Sequence, residues 1–170
     1  MVPVFLSCVF CYSREREWLR YLALAVYAMA ALSDVADGYV ARRLNQHSRL
    51  GARMDPLADK LIVNLGFVFM AANSQFEPDV PMWFPVIVLT RDVVIVMGAY
   101  LINEYFGPVK VKPRVSGKMT TVFQMSTLIA VLLGVFFVNY LIALAVFFTF
   151  VSMADYVYVG IRQANLRNAT

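Results

Sequence analysis

The chain predicts an all-α, polytopic membrane helix bundle, and three observations predict it. Of its 170 residues, 61% are hydrophobic and only 15% charged, whereas a soluble domain is about half apolar and a quarter charged. The apolar residues fall in long runs joined by short polar or basic connections, and the length suits about six spans of roughly 20 residues. Every backbone polar group in lipid must be paired within its own segment, which leaves helices as the spanning element. We read residues 1–170 as a single domain of an integral, multi-pass membrane protein.

The first span, Val2 to Tyr12, has 11 residues. At 1.5 Å per residue it is about 17 Å long and too short for a core of about 30 Å, so the first of six transmembrane helices is expected to be truncated. The second is expected from about Trp18 to Arg42 and the third from about Gly51 to Asn73. The fourth covers about Met82 to Glu104, the fifth about Ser116 to Val138 and the sixth about Tyr140 to Gln163. Pro85 lies within the fourth, either as a first-turn proline or as a kink one turn before Arg91.

Charge sets the expected orientation. Arg42, Arg43, Arg49, Arg53 and Lys60 surround the second connection, Lys110, Lys112, Arg114 and Lys118 the fourth, and Arg162 and Arg167 the C-terminus. These eleven bases share one side. The other side has Arg14, Arg16 and Arg20, offset by Glu15 and Glu17, and a loop with Glu77 and Asp79. The positive-inside rule puts the basic side in the cytoplasm. It also accounts for the net charge of +4, which we therefore read as membrane-interface charge and not as a nucleic-acid surface. Cys8 and Cys11 form one C-x-x-C with no second pair to complete a zinc site, and read as small hydrophobes.

Four carboxylates interrupt this apolar pattern: Asp34, Asp37, Asp55 and Asp59. A carboxylate in hydrocarbon costs at least a few kcal/mol. Asp34 and Asp37 are three apart at the expected cytoplasmic end of the second span, and Asp55 and Asp59 four apart at the start of the third. Each pair shares a helix face, and a connection of about nine residues makes the two spans antiparallel neighbours. Four hard oxygen donors suit Mg²⁺, Mn²⁺ or Ca²⁺, which also relieve the mutual repulsion that otherwise drives protonation.

The residues between the pairs point the same way. Gly38 and Ala41 clear one surface, and Gly51 does so one turn ahead of Asp55. Arg42 carries the planar fork that fits a phosphate. Metal donors, phosphate fork and cleared surface describe a nucleotide diphosphate site. Aspartate–arginine salt bridges, an ion-coupled cation transporter and a structural ion site are the alternatives at this point.

The string D-x2-D-G-x2-A-R-x8-G-x3-D-x3-D is matched in full by Asp34, Asp37, Gly38, Ala41, Arg42, Gly51, Asp55 and Asp59. It resembles the signature of the CDP-alcohol phosphatidyltransferase family, whose members displace CMP from a CDP-alcohol by attack of an acceptor hydroxyl. The resemblance implies a magnesium- or manganese-dependent enzyme of phospholipid biosynthesis, with two ions held by Asp34, Asp37, Asp55 and Asp59. It implies that Asp59 is the catalytic general base. Asp34, Gly38, Ala41, Arg42 and Gly51 are then the CDP contacts, with Arg42 on the diphosphate. Homodimerisation is a further expectation from the family. So is an N-terminal amphipathic helix before a full first span, which this sequence lacks.

The stretch Ala52 to Lys60, Thr90-Arg91 and the segment from Ser116 to Gln124 resemble the phosphatidylglycerophosphate synthase branch. That branch transfers the phosphatidyl group of CDP-diacylglycerol to glycerol 3-phosphate. Arg91-Asp92 and Lys112-Pro113-Arg114 are also similar to the family's cardiolipin synthases, whose acceptor is phosphatidylglycerol. Either acceptor bears a phosphate, for which Arg91, Arg114 and Lys118 are the candidate cations. An arginine about ten residues into a span is costly without an anionic partner; for Arg91 a pair with Asp92 or Asp155 is the structural alternative. His47 reads as a solvated loop residue, and Ser126, Thr127 and Ser152 as bonding to backbone or to neighbouring helices.

Overall fold

A computed structural model describes the backbone over residues 2–44, 51–106 and 115–168, and side chains within 2–33, 60–98, 100, 101, 103–105 and 115–161. The elements in order are α1 (Val2–Phe10), a 3₁₀ turn (Arg14–Arg16), α2 (Trp18–Leu44), α3 (Gly51–Ala72), α4 (Trp83–Phe106), α5 (Val115–Leu133) and α6 (Val138–Asn168), with no strand among the described residues. They form two compact units, one of Met1–Met82 with Leu128–Phe136, the other of Trp83–Thr127 with Phe137–Thr170.

In the first unit, α1 packs against both α2 and α3. Phe5, Val9, Phe67 and Met70 are fully buried there, and the Phe5 ring lies 5.9 Å from that of Tyr27 on α2. Gly66 lets α3 come close: a Cβ there would stand 3.0 Å from both Phe5 Cε1 and Leu128 Cδ1. One end of this unit is tied by polar groups that complete helix termini. Asn73 Nδ2 donates to Tyr12 O at 3.0 Å and Val9 O at 3.4 Å, meeting carbonyls in the last turn of α1 and just beyond it. Arg14 N donates to Gln75 Oε1 at 3.0 Å, and the Arg14 side chain pairs with Glu77. The residues that lead into α2 and those that follow α3 thus meet at one end of the unit.

The same end closes α5. Gly134 adopts φ +70°, the left-handed region that favours glycine. Val135 N–H donates to Ala130 O at 3.2 Å and Gly134 N–H to Val131 O at 3.1 Å, the paired bonds of a Schellman stop. Arg20 supplies the rest: Nε donates to Leu132 O at 2.8 Å and Nη2 to Val131 O and, at 2.6 Å, to Glu77 O. A cation at the negative end of a helix is favourable in its own right. The expected fifth span ran to about Val138; it stops at Leu133 because this cap ends it.

In the second unit α4 packs on α6. Phe84 and Val88 are fully buried, and the Phe123 and Phe148 rings stack 4.8 Å apart between α5 and α6. Pro85 lies in the first turn of α4, where its missing N–H costs nothing, so the first-turn reading holds. Much of the outer surface is apolar: Val93, Val96, Tyr100, Phe147, Phe150 and Tyr158 are each at least half exposed. Such a surface suits lipid and not water. Three helices, Trp83–Tyr105, Val115–Leu133 and Val138–Ile161, are long and apolar enough to cross a membrane. Shorter apolar stretches occupy Trp18–Ser33 of α2 and Lys60–Ala72 of α3, and α1, with 9 residues, reaches about 14 Å. The protein is an α-helical membrane bundle.

Candidate functional site

Helix α2 carries Asp34, Asp37, Gly38, Ala41 and Arg42 in its second half, and α3 carries Gly51, Asp55 and Asp59 in its first half. Both stretches are helical, as the face-sharing of each aspartate pair requires. The side chains of these eight residues lie outside the described residues, as do Arg114 and His47 entirely.

The remaining sequence candidates, Arg91 and Lys118, lie in the second unit. Arg91 on α4 is 5% exposed. Its Nη1 donates to Asp92 Oδ1 at 2.7 Å and its Nη2 to Ser152 Oγ on α6 at 2.6 Å. Its Cζ lies 5.9 Å from the Tyr156 ring centroid, within cation–π range. Its Nε is buried with no hydrogen-bond partner among the described residues. The carboxylate paired with Arg91 is therefore Asp92, while Asp155 accepts from Ser116 Oγ of α5 at 2.8 Å. Gly117 borders the group: a Cβ there would come within 3.2 Å of the Tyr156 hydroxyl and 3.5 Å of Arg91 Nη2.

Hydroxyl placement separates this cluster from the rest of the bundle. Ser7, Thr90, Thr121, Thr127 and Thr149 each donate to the carbonyl four residues earlier, satisfying themselves locally. Ser116 and Ser152 pair across helices instead, with Asp155 and Arg91. Thr120 Oγ1 has both kinds of partner, Ser116 O of its own helix at 3.0 Å and Phe148 O of α6 at 2.9 Å. Sequence reasoning grouped Ser152 with Thr127 and gave Tyr156 no role. The available signal was the spacing of Ser152, Asp155 and Tyr156, at i, i+3 and i+4, which is one polar face in an apolar helix. Lys118 is exposed on the first turn of α5 and makes no ion pair among the described residues.

An arginine held this way is a buried cation with spare donors, beside a carboxylate and a tyrosine. It is equipped to receive an oxyanion.

The family model for CDP-alcohol phosphatidyltransferase matches residues 1–151, which run through both units. The chain is 35% identical over 129 residues to the CDP-diacylglycerol–glycerol-3-phosphate 3-phosphatidyltransferase of Aquifex aeolicus, covering 75% of this chain and 68% of that one. It is 34% identical over 92 residues to a probable phosphatidylglycerophosphate synthase of Mycobacterium tuberculosis, covering 54% of this chain and 42% of the relative. Human cardiolipin synthase (CMP-forming) is 29% identical over 120 residues, covering 61% of this chain. That alignment spans only 38% of the human protein's length. With the family's full aspartate motif carried on α2 and α3, and a match over most of its length, the chain belongs to the CDP-alcohol phosphatidyltransferase family.

Proposed function

We propose that this protein transfers the phosphatidyl group of CDP-diacylglycerol to glycerol 3-phosphate, giving phosphatidylglycerophosphate and CMP. The observation that carries the proposal is the eight-position motif from Asp34 to Asp59. Likeness to the Aquifex aeolicus transferase supports this acceptor.

The donor set fits a divalent-ion centre by its chemistry: Asp34, Asp37, Asp55 and Asp59 offer hard oxygens alone, the preference of Mg²⁺ or Mn²⁺. Held by these four carboxylates, two such ions would supply Lewis-acid charge to the diphosphate and so ease departure of CMP. Asp59 takes the proton from the acceptor hydroxyl as its oxygen bonds to the lipid-side phosphorus. The bond from that phosphorus to the CMP oxygen breaks. Arg42 orients the diphosphate with its two-pronged donor face, while Gly38, Ala41 and Gly51 leave room for the nucleotide. Arg91, Arg114 and Lys118 hold the acceptor's phosphate. The same reading takes residues 1–170 as one functional domain with six spans, the site open to the cytoplasm and a homodimeric assembly.

The test is an acceptor panel. Purified full-length protein is given CDP-diacylglycerol and Mn²⁺ with glycerol 3-phosphate, phosphatidylglycerol, inositol phosphate or serine, and lipid products are read by mass. Phosphatidylglycerophosphate with stoichiometric CMP is the expected result, and no CMP in any arm defeats it. The likeness to human cardiolipin synthase favours a second reading, with phosphatidylglycerol as acceptor. Cardiolipin as the product of that arm would select it. Asp59→Asn is expected to abolish turnover while metal remains bound; loss of metal would make Asp59 chiefly a ligand.

A further inference from the structure

The cross-helix hydroxyl at Ser152 has a use that the motif does not assign. Ser152 is fully buried, and its partner Arg91 is 5% exposed. Arginine has five N–H donors on a flexible stem, and holding it in one pose inside an apolar bundle requires fixed acceptors. Asp92 takes Nη1 and Ser152 takes Nη2, at 2.7 and 2.6 Å. The first acceptor belongs to α4 itself, so Ser152 supplies the hydrogen bond that registers the guanidinium against α6, beside the Tyr156 ring. What remains is a buried Nε with no partner among the described residues. An orphaned buried donor is costly unless something meets it.

We infer that Ser152 is a positioning residue for the acceptor: it holds Arg91 so that the guanidinium's unspent donors are set for the phosphate of glycerol 3-phosphate. The inference rests on the acceptor assignment above. Ser152 touches neither substrate and acts only through Arg91. Its local surroundings are built for this. Ser152 Oγ accepts from Arg91 Nη2 across the helix interface, whereas Thr149, one turn earlier on α6, bonds back to Ala145 O. Gly117 withholds a side chain that would crowd Tyr156 and the Nη2 end of the guanidinium.

The experiment compares full-length wild type with Ser152→Ala, Ser152→Thr and Gly117→Ala. Thr149→Val is the control, because Thr149 bonds only to Ala145 O of its own helix. KM is measured for each substrate with the other saturating, and the Kd for glycerol 3-phosphate by calorimetry. Ser152→Ala is expected to raise both KM and Kd for glycerol 3-phosphate about tenfold, equivalent to about 1.4 kcal/mol. KM for CDP-diacylglycerol should stay within about twofold, a split that a merely structural role would not produce. Ser152→Thr restores most of the loss, and Gly117→Ala raises the acceptor KM from the α5 side even if Ser152→Ala folds poorly. Unchanged acceptor constants in Ser152→Ala and Gly117→Ala, or both substrates' KM rising together with a fall in Tm, overturn the positioning role alone. Wild type that neither binds nor uses glycerol 3-phosphate overturns the acceptor assignment and this inference together.

Discussion

Among the described residues, Arg20 and Arg91 lie between helices and are satisfied by different kinds of partner. Arg20, in the first unit, donates to backbone carbonyls only: Leu132, Val131 and Glu77. Arg91, in the second, donates to side chains only, Asp92 and Ser152, and keeps a buried Nε in reserve. Backbone carbonyls at a helix end are permanent and carry only partial charge. A guanidinium spent on them secures a chain path. A carboxylate and a hydroxyl leave the remaining donors open to an incoming anion. One arginine serves architecture; the other, on the function proposed above, serves a ligand.

The largest expected effect tests the architectural half. Arg20→Ala strips charged donors from three carbonyls, and at about 1–3 kcal/mol for a lost charge-assisted bond the net loss should be about 3 kcal/mol. Thermal unfolding in detergent reads it, with acceptor KM unchanged in the folded fraction. If KM moved and stability did not, the contrast would fail. Gly134→Ala should act in the same direction by about 2 kcal/mol. It forces a side chain into φ +70° and places a Cβ 2.8 Å from Arg20 Nη2.

Arg91→Lys probes the other half. An ammonium keeps the charge but cannot reach Asp92, Ser152 and a phosphate in one planar array. The acceptor KM should rise about tenfold, equivalent to about 1.4 kcal/mol, with a smaller change in Tm. Smallest of all is Arg14→Ala. Its partner Glu77 and Arg14 itself are 71% and 64% exposed, and exposed pairs contribute at most about 1 kcal/mol. A shift of about 0.5 kcal/mol or less in the same unfolding assay is expected; a loss matching Arg20→Ala would remove the distinction between cap and surface pair.

The difference between these arginines was only half legible in the sequence. Hydropathy and short connections located all six helices to within a few residues at most ends, because apolar run length reports directly on a helix in lipid. The end of α5 escaped because Gly134 is followed by Val135, Phe136, Phe137 and Val138. An apolar turn looks like continued span until backbone angle and cap are seen. Arg91 stood out through its cost within an apolar segment, and its pairing was narrowed to Asp92 or Asp155. The choice between them, and the role of Ser152, depends on which helix faces which, and that is a tertiary fact. The aspartate motif is the reverse case: spacing and residue type pointed to the family before any coordinates, while its side chains lie outside the described residues.

The cap at Leu133 also fixes how much bilayer the protein tolerates. Helix α5 has 19 residues, or about 28 Å, whereas α4 with 24 and α6 with 31 reach about 36 and 46 Å and have length to spare. A long span meets a thin bilayer by tilting; a short one meets a thick bilayer by thinning it or by snorkelling of its flanking residues. Because Gly134 and Arg20 forbid an extra turn at this end, α5 is the shortest of the three helices long enough to span, and it is the one that a thicker bilayer strains first.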